Sequence, residues 1–171
     1  MSPPVEPSVD PTAELIGELT RRGLRIAVAE SLTGGLLAGE LTRIPGASLA
    51  VNGGIVAYDT GVKRSLLGVP ADLLAAEGAV HPEVARRMAD GVRRALAVDD
   101  RPADLGLATT GVAGPDPQDG KAVGTVYVGI ATPGGTDAIA LQLAGAGGRE
   151  AIRAATVRAA IGAALARVRE G

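Results

Sequence analysis

Lys63 stands five residues after Tyr58 in AYDTGVKRSLLG, within a chain that uses Lys and Tyr only twice each and draws its other 15 basic residues from Arg. A guanidinium keeps its charge under ordinary conditions. An ammonium deprived of water, or placed near other cations, can release its proton and act as a base. Lys63 is therefore the first candidate for chemistry, with a solvated lysine at the start of a helix as the ordinary alternative. Ser31, in AESLTGG (29 to 35), is the second. It lies with Thr33 between a strand and a helix, and Gly34 and Gly35 let a ligand approach backbone N–H groups that favour a phosphate or a developing oxyanion. Ser31 could equally be an N-cap that satisfies the helix's free donors. The segment is not a P-loop, because GK followed by Ser or Thr is absent, and not a nucleophile elbow, because GxSxG is absent.

Other groups narrow the chemistry further. TTGVAGP (109 to 115) follows a strand and is either a turn whose amides line a pocket or an ordinary tight connection. Asp116 and Asp119 lie in the adjoining Pro/Gly loop and read as turn formers rather than metal ligands. Arg149 and Arg153 fall four apart at a helix start, as a phosphate clamp or as a solvated face. Tyr58 and Lys63 are spaced one residue wider than the Tyr-x-x-x-Lys pair of short-chain dehydrogenases, and no GxGxxG follows the first strand, so hydride transfer is rejected. The chain has no Cys and one His, His81. That removes disulfides, thiolate chemistry, His metal clusters and an ordinary Ser-His dyad, and leaves any nucleophilic catalysis to another base.

The elements that must position these groups follow from apolar periodicity. Helices are expected at 12 to 22, 33 to 43, 63 to 76, 81 to 97 and 150 to 169, and strands at 25 to 29, 49 to 58, 105 to 110, 123 to 132 and 137 to 144. Gly53 and Gly54 suggest a bulge or a close backbone approach inside the second strand. Early strands alternate with helices, whereas the later ones are joined by loops too short for a helical crossover. The expected fold is a three-layer α/β/α sandwich on a mixed, mostly parallel sheet of about five or six strands. With 171 residues and 46% hydrophobic content, one domain spanning 12 to 171 is expected. Its core must be aliphatic, because Phe and Trp are absent. Residues 1 to 11 read as a disordered lead rather than a signal peptide. A net charge of −2 gives no general drive toward nucleic acid or anionic membrane. A cytoplasmic protein is expected, since no apolar run reaches membrane-spanning length.

Taken in order, AESLTGG, LTRIPGAS, GGIVAYDTGVKRSLLGV, GAVHPEVARRMADG, TTGVAGPDPQDGKAVGTVYVG and GREAIR resemble the CinA C-terminal domain family, colinearly over about residues 12 to 169. Each motif alone is weak, and the ordered set is specific. The family includes nicotinamide mononucleotide deamidases, so the resemblance implies hydrolysis of that nucleotide's carboxamide to nicotinate mononucleotide and ammonia. It implies Ser31 as nucleophile, with Lys63 and Tyr58 handling protons. Glu30, Thr33, Gly34, Gly35, Thr110, Gly111, Gly114 and Arg149 fall at substrate-binding positions. It implies no metal or organic cofactor, a small-molecule nucleotide as substrate, a homodimer, and a form without the molybdopterin-binding-like N-terminal domain of longer relatives. For Lys63 to serve at neutral pH its pKa must be lowered, by desolvation or by cations such as Arg64 or Arg149. The sequence departs from the family pattern at Leu32 (often Cys), Asp59-Thr60 (often Ser-Asn) and His81 (often Ser). Gly145 and Gly148 replace Phe and Asp of FxGDR, which predicts a looser Arg149. The competing expectation is a nucleotide-binding or protein-interaction module of the same family with weak or no turnover, or an amidase for a related phosphorylated ribonucleotide.

Overall fold

Leu15, Ile16 and Leu19 recur at helical spacing and form the buried face of α1 (Pro11–Arg22) in a computed structural model that describes residues 9–171. The helix opens one residue earlier than periodicity alone suggests. Asp10 is its N-cap, its carboxylate accepting from the Thr12 amide at 3.0 Å, and Pro11 takes the first helical position. Asp10 and Pro11 thus belong to the helix rather than to a lead, Val9 precedes them as an exposed residue outside any helix or strand, and residues 1–8 of that expectation lie outside the described residues.

The chain continues through β1 (Ile26–Glu30), α2 (Leu36–Thr42), β2 (Val51–Val56), α3 (Thr60–Leu67), α4 (Ala71–Glu77), α5 (Pro82–Ala95), β3 (Leu105–Gly111), β4 (Thr125–Thr132), β5 (Gly135–Gln142) and α6 (Arg149–Glu170). The strands form one sheet in the order β2-β1-β3-β4-β5. β1 runs parallel to β2 and β3, whereas β3–β4 and β4–β5 are antiparallel, so β4 alone points the other way. Every residue of β1 is buried, as a central strand covered on both faces requires. Ile26 and Val28 join the core that α1, α2 and α6 build on one face, and Ala27 and Ala29 join the core built with α5 on the other. This is the expected α/β/α sandwich on a mixed sheet. The small side chains have a purpose: a Cβ on Gly106 or Gly129 would collide with the Ala89 or Ala85 carbonyl, so glycine lets α5 lie directly on β3 and β4.

Three local differences matter for the site. The expected helix over 63 to 76 is two helices, because Gly68 ends α3 in the left-handed conformation and Pro70 precedes α4. Lys63 therefore lies one turn inside α3 rather than at a helix start. The Gly pair of β2 does mark an irregularity: the register with β1 skips Asn52, and a Cβ on Gly54 would press on Val28 and Ala38 at 3.0 Å. Finally, α2 begins only at Leu36, and its N-cap, Gly35, has no side chain to offer.

Glu30 supplies that cap from the end of β1. Fully buried, its carboxylate accepts from the amides of Gly35 at 3.0 Å, Leu37 at 2.9 Å and Ala38 at 2.8 Å. Glu30→Gln keeps the shape but turns an NH2 toward one of these donors. We expect it to cost about 2–3 kcal/mol and to lower Tm by roughly 5–10 °C. Thermal unfolding checks this, and an unchanged Tm would contradict the assigned capping role.

Candidate active site

The chain leaves β1 to build β2 on one side and then crosses back to build β3 on the other. The carboxyl ends of β1 and β3 thus flank a topological switch point, where open α/β sheets bind ligands. Ser31 directly follows β1, and Thr110 and Gly111 end β3. The turn that carries Ser31 is fastened to β3 by the Ser31 amide donating to the Thr109 carbonyl at 3.0 Å and by a 2.8 Å bond between the Thr33 and Thr109 hydroxyls.

Lys63 reaches this turn from α3. Asp59 starts the helix as N-cap, accepting from the Gly61 amide at 2.7 Å. One turn on, the Lys63 side chain is 1% exposed. Its Nζ donates to Ser31 Oγ at 3.0 Å and to the Ala57 carbonyl at 2.7 Å. Burial pushes the Lys63 pKa down to about 8, against Asp59, whose charge pulls it up. Burial is the cause, rather than Arg64 or Arg149. A hydroxyl and a buried amine thus lie within hydrogen-bond reach, the amine oriented by a third group, the Ala57 carbonyl, which is the geometry that activation of a nucleophile requires.

Ser31 and Lys63 open onto a cavity of about 170 Å³ that Tyr58, Thr110, Gly111, Gly114 and Arg149 also line. Seven of the expected site residues therefore converge. Sequence reasoning missed Leu32, Thr60, Val80 and Gln118 as lining groups, and it gave Asp116 no role beyond turn formation. Asp116 and Gln118 share the Pro/Gly loop with Gly114, so the placement of that loop after β3 was the available signal. Thr110 also donates to the Ala79 carbonyl at 2.7 Å, tying the end of β3 to the loop before α5.

Arg149 stands at the cavity mouth, donating to the Gly114 carbonyl at 2.6 Å and to the Tyr58 hydroxyl at 3.1 Å. These two acceptors orient the guanidinium without the family's Asp, which corrects the expected looseness. Gly148, at that position, has φ 105°, a conformation that favours glycine. Tyr58 is 62% exposed, and among the described residues its hydroxyl bonds to Arg149 alone, not to Ser31 or Lys63. Its geometry is that of a group at the mouth rather than a relay between base and nucleophile.

Four expected substrate contacts do not line the cavity. Glu30 is consumed in capping α2, and Thr33 is fully buried against Thr109. The Gly34 amide donates to the Ser31 carbonyl at 3.1 Å and the Gly35 amide to Glu30, so neither is free for an oxyanion. The amides of Leu32 and Ala113, both lining residues, have no acceptor among the described residues. His81 serves as N-cap of α5, its Nδ1 accepting from the Glu83 amide at 3.2 Å, the task a Ser would perform there. Among the described residues, no three His, Cys, Asp or Glu side chains come together as a metal-binding group, and no helix is long and apolar enough to cross a membrane.

A family model described as the CinA C-terminal domain matches residues 10–168. A CinA-like protein of Frankia casuarinae is 56% identical over 131 residues, 77% of this chain and 29% of its own length. A putative competence-damage inducible protein of Geobacillus kaustophilus is 52% identical over 140 residues, 82% of this chain and 32% of its own. The chain thus spans about a third of the length of these curated relatives. Among solved structures, a competence/damage-inducible protein of Agrobacterium tumefaciens superposes with TM-score 0.82 at 35% identity, covering 95% of this chain and 98% of that one. A CinA superfamily protein of Klebsiella pneumoniae gives TM-score 0.86 at 30% identity, covering 94% and 97%.

Proposed function

Because the chain belongs to the CinA C-terminal domain family, we propose that it is an amidohydrolase that converts nicotinamide mononucleotide to nicotinate mononucleotide and ammonia. The observation that carries this reading is the buried Lys63 Nζ at 3.0 Å from Ser31 Oγ. A neutral Lys63 keeps one N–H on the Ala57 carbonyl and turns its lone pair to the Ser31 hydroxyl. Ser31 Oγ attacks the carboxamide carbon as its proton passes to Nζ. The oxyanion takes the unpartnered Leu32 and Ala113 amides. The C–N bond then breaks, Nζ returns the proton to the departing nitrogen, and ammonia leaves. A water molecule, deprotonated by Lys63, hydrolyses the Ser31 ester, which regenerates both groups and yields the carboxylate.

The size of the cavity bears on the substrate. At about 170 Å³ it falls below the roughly 300–1,000 Å³ that engulfs a drug-sized ligand. The carboxamide-bearing ring enters, and the phosphoribosyl end stays at the mouth, where Arg149 offers the phosphate a guanidinium already oriented by Gly114 and Tyr58. The reading includes a cytoplasmic homodimer.

Incubating the protein with nicotinamide mononucleotide and a chelator, and measuring ammonia and nicotinate mononucleotide, tests the proposal. Equimolar products support it. Tight binding of the nucleotide without product would instead leave a binding module. The position of Tyr58 adds a finer expectation: Tyr58→Phe frees Arg149 from one partner and should raise KM for nicotinamide mononucleotide about three- to tenfold, with kcat within about twofold. A hundredfold fall in kcat would return Tyr58 to proton transfer.

A further inference from the structure

Arg153 lies one turn beyond Arg149 on α6, yet it neither joins a phosphate clamp nor stays solvated. Its Nε donates to the Leu32 carbonyl at 2.8 Å and its Nη2 to the Thr33 carbonyl at 3.2 Å. These are the two residues that follow Ser31, and no other contact joins α6 to the turn by hydrogen bonding among the described residues. Arg153 is half-buried and forms no ion pair among the described residues. Its charge is therefore committed to backbone carbonyls. A planar guanidinium serving consecutive carbonyls sets the orientation of both peptide planes, which the single ammonium of Lys cannot do. The turn needs such a restraint: it leads into Gly34 (φ 55°) and Gly35 (φ 101°), and α2 does not begin until Leu36.

We infer that Arg153 is a positioning residue for nucleophilic attack, clamping the Ser31 turn so that Ser31 Oγ stays on Lys63 Nζ and the Leu32 amide stays available to the oxyanion. The amide that follows a nucleophilic serine is a recurring oxyanion donor. Leu32 lines the cavity, and its N–H has no acceptor among the described residues. The inference rests on the reading of Ser31 as nucleophile. It goes beyond that reading by assigning catalysis a residue whose side chain is directed to the backbone of the turn.

The test uses a fluorophosphonate, which reports on Ser31 without requiring the proposed substrate. Ser31 Oγ forms a bond to phosphorus, fluoride leaves, and the serine proton passes to Lys63. Rates of Ser31 labelling are read by mass spectrometry for the native chain, Arg153→Lys and Arg153→Met, at a temperature well below each Tm, beside kcat and KM for nicotinamide mononucleotide. Labelling and kcat should both fall about 10- to 100-fold in the variants, the scale of a misplaced reacting group, while KM changes less than about twofold. Ethylguanidinium added to Arg153→Ala should restore part of the labelling rate. Arg153→Lys keeps stem and charge and serves if Arg153→Met does not fold. Native-like labelling and kcat in the folded variants would overturn the role of Arg153 and leave the Ser31 reading standing. A native chain that is not labelled at Ser31 would overturn both.

Discussion

Ser31→Ala is expected to lower ammonia release from nicotinamide mononucleotide by at least about a thousandfold while leaving the fold in place. The size follows from the proposed role: without Oγ no acyl intermediate could form, and losing a serine nucleophile in a well-studied serine hydrolase costs even more. The fold should survive because the turn is held by other atoms. The Ser31 amide and carbonyl bond to the Thr109 carbonyl and the Gly34 amide, the Thr33 hydroxyl bonds to Thr109, and Arg153 holds Leu32 and Thr33. Removing Oγ takes one acceptor from Lys63, which keeps the Ala57 carbonyl. Parallel circular dichroism and turnover measurements check both halves, and a variant with native activity would remove Ser31 from the mechanism.

The second large effect concerns Lys63 and carries a sign in pH. In the proposed mechanism the active form of Lys63 is the neutral amine, and burial lowers its pKa to about 8. Below that value kcat/KM should rise about tenfold per pH unit, and above it the profile should level off. At pH 7 about one tenth of the molecules carry the neutral base. Lys63→Arg introduces a group that cannot release its proton at any of these pH values, and a loss of about 10²–10⁴ is expected across the whole range. A native profile flat from pH 6 to 9 would contradict the assignment. The same shift governs stability. The folded pKa lies below the ordinary lysine value of about 10.4, so between about 8 and 10.4 the unfolded chain binds the additional proton and stability increases with pH. Below 8 the folded chain holds the buried ammonium, and the cost of that burial is borne in full. The site therefore holds a group that folding disfavours at neutral pH, in the position where the proposed mechanism needs a base.

How much of this was legible in the sequence depends on the length scale of each cause. Periodicity located the helices and strands because apolar spacing is local. α1 ends at Gly23 for a reason visible in the letters, and β1 is a short apolar run because both of its faces are covered. The break at Gly68–Pro70 was also written there, in a Gly and a Pro two residues apart, but a continuous apolar pattern masked it. At the site, Ser31, Lys63 and Arg149 are identifiable through residue type and motif order. What each neighbouring polar group is bonded to is not. Glu30 looks like a substrate contact until α2 is seen to lack a side-chain cap of its own. Gly34 and Gly35 look like donors until their amides find the Ser31 carbonyl and Glu30. Tyr58 is five residues from Lys63 in sequence, yet its hydroxyl bonds to a residue 91 positions away. Arg153 reaches Leu32 across 121 positions. Such pairings are set by how α6 packs beside the β1 turn, and no local pattern encodes them.

If Lys63 activates Ser31 to take the acyl group, acid quenching during the first turnovers should trap that group on the serine. The native chain is mixed with excess nicotinamide mononucleotide, stopped at successive times and digested, and the peptide bearing Ser31 is examined by mass spectrometry. An ester on Ser31 should appear together with ammonia, ahead of nicotinate mononucleotide, and be absent in Lys63→Arg. Ammonia and nicotinate mononucleotide rising together from the first turnover, with Ser31 unmodified at every time, would contradict it.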